Sequence, residues 1–249
     1  FFKKVKQWES EPEFKKLYKI YNENKKSYEE KDKLINEIKN CSDYLPYQTD
    51  KVREYLLKQE YIKINEEDKT IITQKGIIAS EINECNEILL TELVVNDYFK
   101  DLDYIQIGTI LSVFGDSKIL QKDDEGNAKK IRDEYMYKEV LKFINDKSCQ
   151  WQNYEHSNHL YLNSDWTTID EAMDATNEWL NGGNFNNITK KYNIYEGNLI
   201  KDFIKIYNLG ANLVSIAKII NDPKLEVESE RLMENVMKDV VSVESLHVR

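Results

Sequence analysis

Tyr195-Glu196-Gly197-Asn198-Leu199-Ile200-Lys201-Asp202-Phe203-Ile204-Lys205-Ile206-Tyr207-Asn208-Leu209-Gly210-Ala211-Asn212-Leu213-Val214-Ser215-Ile216-Ala217-Lys218-Ile219-Ile220 is the stretch that decides the fold. Leu199, Phe203, Ile206, Leu213, Ala217 and Ile220 recur at helical spacing, so the segment reads as one helix of about 39 Å at 1.5 Å per residue. Asn221-Asp222-Pro223 stops it. A helix this long with one apolar stripe needs other helices to cover it. Opposite the stripe lie Lys201, Lys205, Asn208, Asn212 and Ser215, spaced 4, 3, 4 and 3. Such a line is most often a solvated face. It can also present Lys to phosphates and Asn to sugar or base edges of a nucleic-acid strand. Gly210 costs about 1 kcal/mol relative to Ala inside a helix, so a close neighbour is expected there.

The rest of the chain agrees with a mainly α fold. It has 249 residues with only 8 Gly and 3 Pro, too few for a turn-dense β-sandwich or barrel. Residues 1–40 carry a heptad seam, Phe14, Leu17, Tyr21, Asn24, Tyr28, Lys31, Ile35 and Ile38, which predicts a long helix packed on a partner helix in coiled-coil fashion. Ser42 to Pro46 reads as a turn and Asp50 to Tyr61 as a helix. Tyr61–Asn65 and Thr70–Thr73 read as two short antiparallel strands. A helix followed by such a hairpin is the second half of a winged helix. Further helices are expected at 76–84, 88–99, 102–114, 132–145, 185–192 and 225–246. Thr168-Ile169-Asp170-Glu171 reads as a capping box that opens a helix to Leu180. Residues 146–166 show no clear period and read as irregular, and 115–131 contains a polar loop.

Formal net charge is −10, from 45 acidic and 35 basic residues, which argues against a general polyanion binder. The charge is uneven. Residues 101–185 hold 16 acids against 8 bases, while 186–221 hold five Lys against Glu196 and Asp202, a net +3. Three widely spaced cysteines, Cys41, Cys85 and Cys149, form no disulfide framework and point to a reducing, intracellular compartment. No apolar run reaches the roughly 18 residues of a membrane span, so no membrane partner is expected. The chain begins at Phe1 without a signal-peptide pattern and reads as a piece of a longer one.

Catalytic chemistry finds no foothold. No GxxxxGK[ST], GxGxxG or GxSxG is present. His156 and His159 with Cys149 lack the paired spacing that makes zinc specific, and read as a polar loop. Carboxylate pairs such as Asp123-Asp124 are expected by chance among 45 acids. No catalytic and no metal-binding residue is assigned.

Four runs together carry a resemblance. Lys75-Gly76-Ile77-Ile78-Ala79-Ser80-Glu81-Ile82, Leu89-Leu90-Thr91-Glu92-Leu93, Glu178-Trp179 with Gly182, and Tyr195-Glu196-Gly197 with Leu199-Ile200 resemble the DSHCT domain. That domain is the C-terminal helical bundle of superkiller-type DExH-box RNA helicases, including exosome cofactors. The likeness covers residues 73–249, weakly over 115–165. It implies three parts: a returning stalk (arch) helix at 1–40, the C-terminal part of a winged helix at 41–74, and the bundle at 75–249. It further implies that 195–220 is a ratchet helix. There Lys201, Lys205, Asn208 and Asn212 would contact single-stranded RNA drawn beneath the ATPase core. ATP and Mg would be held by that core in cis, not by this segment, and RNA-decay complex proteins would be partners. Translocation on RNA in the 3′ to 5′ direction, in RNA processing or decay, is the implied activity of the parent. The family usually carries Arg after Lys-Gly, where this chain has Ile77. Two alternatives remain: an acidic helical scaffold that touches no RNA, and the equivalent bundle of a DNA-directed helicase.

Overall fold

The computed structural model describes residues 12–115, 131, 134–162, 165–170 and 172–238, with the backbone alone for 36–41. The chain divides into two compact units, one up to Leu56 and one from Leu57. The fold is mainly α with one two-stranded antiparallel hairpin among the described residues.

The first unit is built on α1, Pro12–Lys58. It is continuous, so the turn expected at Ser42–Pro46 is not there. Pro46 removes one backbone donor. Breaking the helix there would cost a second nucleation, and one missing bond is small beside 47 residues of helix. Thr49 Oγ1 donates to the Leu45 carbonyl at 2.9 Å within the same turn. Leu17, Tyr21, Tyr28 and Ile35 of the heptad seam are all exposed, while Ile38 lies among the residues described by backbone alone.

The second unit opens with β1 (Ile62–Ile64) and β2 (Thr70–Ile72), paired Ile62 to Ile72 and Ile64 to Thr70. The Asn65 side chain closes their turn by accepting from the Glu67 and Lys69 amides. Thr73 then caps α2 (Gln74–Ser80) by accepting from the Gly76 amide. Asn86 caps α3 (Glu87–Val95), and a capping box between Asp103 and Gln106 starts α4 (Tyr104–Leu111), which runs into a tight turn at Ser112–Phe114.

α5 runs Tyr135–Ser157, twelve residues beyond the expected end at Asn145. Its buried face is Tyr137, Val140, Ile144, Ser148 and Trp151, a helical spacing with one polar member. That polar member explains why 146–166 looked aperiodic. Ser148 Oγ donates to the Trp166 carbonyl at 3.1 Å, Trp166 stacks on Trp151 at 5.5 Å, and its indole N–H donates to Glu155 at 3.1 Å. The returning chain is thereby fastened along the helix.

The helix expected to open at the Thr168–Glu171 capping box does not begin at Thr168, and Glu171 itself lies outside the described residues. The Ile169 amide donates to the Val113 carbonyl at 2.8 Å, so the segment is held to the turn after α4. α6 starts only at Met173 and ends at Leu180. Next come α7 (Phe185–Lys191), capped by Asn184, and α8 (Glu196–Ile220). α8 ends at Asn221, whose left-handed backbone (φ 57°) turns the chain. Asp222 caps α9, Pro223–Val236, with Pro223 in its first turn. The expected stretch from Lys238 to Leu246 lies almost wholly outside the described residues.

α8 is the spine. Leu199, Phe203, Ile206, Leu213 and Ala217 of its predicted stripe are 0–1% exposed. α8 and α9 form an antiparallel pair, and Gly210 sits where they meet. A Cβ there would lie 3.0 Å from Met233 Cγ and 3.6 Å from the Ser229 carbonyl oxygen. The close neighbour that Gly210 required is therefore α9. α8 is long and apolar enough by length and composition to cross a bilayer, yet its stripe is buried in the bundle and it carries Lys201, Asp202 and Lys205.

Candidate nucleic-acid interface

Exposure locates the free side of α8. Gly197, Lys201 and Ile204 are exposed, Asn208, Ala211 and Ser215 are half-buried, and Lys218 is exposed. Their spacing of 4, 3, 4, 3, 4, 3 is one straight meridian. Lys201, Asn208 and Ser215 of the predicted line lie on it. Lys205 and Asn212 lie one position to its side and are half-buried. Ile204 (39%) and Tyr207 (37%) interrupt the polar line with apolar surface, which spacing alone did not reveal. The Asn212 amide oxygen is enclosed without a hydrogen-bond partner.

The Lys205 side of α8 faces acid. Asn208 Nδ2 donates to Glu84 Oε1 at 3.2 Å. Glu84 lines a hollow of about 260 Å³ together with Asn83, Cys85, Asn86, Phe114, Asp165 and Thr167. Burial pushes the Cys85 thiol up to about 12, against the opposing pull of Lys205, so it stays a neutral thiol. Hydrogen bonds from Thr167, side chain then backbone, hold Asp165 below its usual range, and Lys205 adds to that effect. Asn86 links the two loops by donating to the Asp165 carbonyl at 3.0 Å. Glu84 and Asp165 carry no motif, and nothing in the sequence marked them.

The residues that carry the family resemblance do different work. Lys75 meets Glu92 at 2.6 Å, and Lys147 of α5 meets the other carboxylate oxygen at 3.0 Å. Tyr61 donates its hydroxyl to Glu92 at 3.1 Å, and Lys75 lies 4.5 Å from the Tyr61 ring centre. Glu92 is 2% exposed. Burial alone would raise its pKa. Hydrogen bonds from Lys75 and Lys147 outweigh burial and hold the carboxyl below its usual range. Gly76 lies so close to the Tyr61 carbonyl that no Cβ fits, and one would also lie 2.7 Å from Ile72 Cγ2. Lys-Gly and the Glu of Leu-Leu-Thr-Glu-Leu thus join hairpin, α2, α3 and α5. Trp179 stacks on Phe203 at 5.2 Å, and its indole N–H donates to the Val236 carbonyl at 2.9 Å. Glu178 receives Lys191 at 2.6 Å and the Tyr192 hydroxyl at 2.9 Å. Gly182 takes the left-handed turn (φ 88°) after α6. Among the described residues no three His, Cys, Asp or Glu side chains are placed to hold a metal ion.

A bundle closed by these motif residues around one central helix defines the class of protein. The family model of the DSHCT (NUC185) domain matches residues 69–244, and the chain belongs to that family. Among its relatives is the ATP-dependent RNA helicase mtr4 of Schizosaccharomyces pombe. It is 31% identical over 184 residues, covering 72% of this chain and 16% of the relative. The exosome RNA helicase MTR4 of Homo sapiens is 29% identical over 181 residues, 72% of this chain and 17% of the relative. The mRNA transport homolog 4 of Caenorhabditis elegans is 26% identical over 183 residues, 70% of this chain and 16% of the relative. The chain therefore spans about a sixth of the length of the relatives it matches.

Proposed function

We propose that this chain is the C-terminal region of an ATP-dependent RNA helicase of the exosome-cofactor type, and that α8 guides the single strand. Membership of the DSHCT family, with relatives named as RNA helicases, is the observation that carries this reading. The locally basic segment 186–221, with Lys201 and Asn208 on the free meridian of α8 and Lys205 and Asn212 beside it, supports it. Lys supplies phosphate contact without sequence preference, and the amides can reach sugar or base edges. Lys keeps the charge but lacks the planar fork of Arg, so contact to phosphate is point-like.

In this reading the ATP chemistry belongs to a core outside these residues, which contain no phosphate loop. The bundle's share is to hold the strand while that core moves it 3′ to 5′. The winged-helix and stalk assignments of 41–74 and 1–40 belong to the same proposal, as do RNA-decay complex proteins as partners. Lys201→Glu with Lys205→Glu in the full-length parent is expected to lower RNA-stimulated ATP hydrolysis and unwinding by about tenfold or more, at unchanged thermal stability. Unchanged unwinding would remove α8 from the RNA path and favour the scaffold alternative. Equal or greater unwinding of a DNA duplex with a matched tail would favour the DNA-directed one.

A further inference from the structure

The hollow beside Lys205 and Asn208 has the wrong chemistry for a phosphate. Glu84 and Asp165 place two carboxylates in its lining. Asn208 of α8 is bonded to Glu84 in this lining, so the hollow lies beside one of the proposed strand contacts. Carboxylates accept hydrogen bonds and repel phosphate oxygens. The remaining lining, the amides of Asn83 and Asn86, the Cys85 thiol, the Phe114 ring and the Thr167 hydroxyl, is neutral. A volume of about 260 Å³ is below the roughly 300 Å³ at which sites for drug-sized ligands begin. It suits one planar heterocycle and not a whole nucleotide.

We infer that this hollow takes a nucleobase of the strand carried by α8, and that Glu84 and Asp165 select bases with an amino group on the Watson–Crick edge. The inference rests on the proposed function. Lys201 and Lys205 then hold the backbone, while one base turns away from it into the acidic hollow. Proteins that read single-stranded RNA commonly splay out a base and bond this edge. Cytosine offers the N4 amino group to a carboxylate, a pairing also used by Glu and Asp on DNA. Uracil offers a carbonyl oxygen at the same place, and the carboxylate repels it. The Glu84–Asn208 bond must open or share its oxygen for the base to enter, which couples base entry to a residue on the α8 meridian.

The test uses the 249-residue chain and fluorescently labelled ten-nucleotide oligocytidine and oligouridine, with affinities read by anisotropy. Oligocytidine is expected to bind more tightly by about fivefold or more, the low end for one carboxylate–amino contact. Glu84→Gln with Asp165→Asn replaces acceptors by amides and should erase or invert that preference. Both side chains keep an oxygen, so Asp165→Asn can still accept from the Thr167 amide and the loop should hold. Lys201→Glu with Lys205→Glu should weaken both oligomers alike and leave their ratio unchanged. Equal affinity for the two oligomers in the unaltered protein would overturn the inference and leave the proposed function standing. A double amide variant that binds both more tightly by the same factor would also overturn it, because the acids would then only compete with phosphate. Loss of the preference in the amide variant with retained binding supports it.

Discussion

Glu92 shows how a family signature can be scaffold and not contact surface. It sits in the apolar run Ile88 to Val95 and is 2% exposed, yet it is ionised between Lys75 and Lys147. Removing one partner of a buried pair commonly costs about 3–5 kcal/mol. Lys75 and Lys147 are 20% and 23% exposed, so each can turn partly to water, and Glu92→Gln should fall toward the low end. The carboxyl is held below its ordinary pKa in the folded protein. Its contribution is therefore complete above the unfolded value of 4.5 and is lost as pH falls below it. Urea unfolding should show a clear gap between the natural protein and Glu92→Gln at neutral pH, narrowing as the pH is taken below 4.5. A gap independent of pH would mean that the pair is not what stabilises this junction. The strand-facing candidates are the opposite case. Lys201 and Asn208 were legible from spacing because a helix repeats every 3.6 residues. Glu84 and Asp165 were not, because they lie 81 residues apart in the sequence and only the fold brings their loops together.

At the scale of elements, helices whose apolar period is complete were legible: α8 from Tyr195 to Ile220, and α7 after Asn184. The misreadings share a cause, which is that a local signal lost to a longer-range one. The polar Ser148 hid the second half of α5 because it bonds the Trp166 carbonyl and needs no solvent. Thr168 to Glu171 has the letters of a capping box, but Ile169 is bonded to Val113. Pro46 looked like a stop and lies inside 47 residues of helix. That last element yields a prediction. A proline inside a helix costs about 3 kcal/mol relative to Ala. Pro46→Ala should therefore raise hydrogen-exchange protection of the amides at about 42–50, by up to that amount locally. Protection that stays flat or falls would show that the chain is not continuously helical there.

Over the whole molecule, a net charge of −10 coexists with a locally basic segment at 186–221, which includes α8. The acids of 101–185 include Asp165, which faces α8, and Asp174, whose carboxylate accepts from the Ile131 amide. Long-range repulsion of a polyanion by the acidic body is screened beyond roughly 10 Å in ordinary salt, so a few lysines on one helix face can still hold phosphates. The mainly α class and the order of helices were readable from the chain. The free meridian of α8, with Ile204 and Tyr207 on or beside it, was not, since exposure depends on where α9 lies. The central claim, that Lys201 and Lys205 neutralise phosphates of a single strand, is tested most directly by the salt dependence of RNA binding. For single strands each phosphate contact contributes about 0.7 to the slope of log affinity against log salt. Lys201→Gln with Lys205→Gln in this chain should reduce that slope by about 1.4, whatever the base sequence. A slope unchanged by the double substitution would contradict the account.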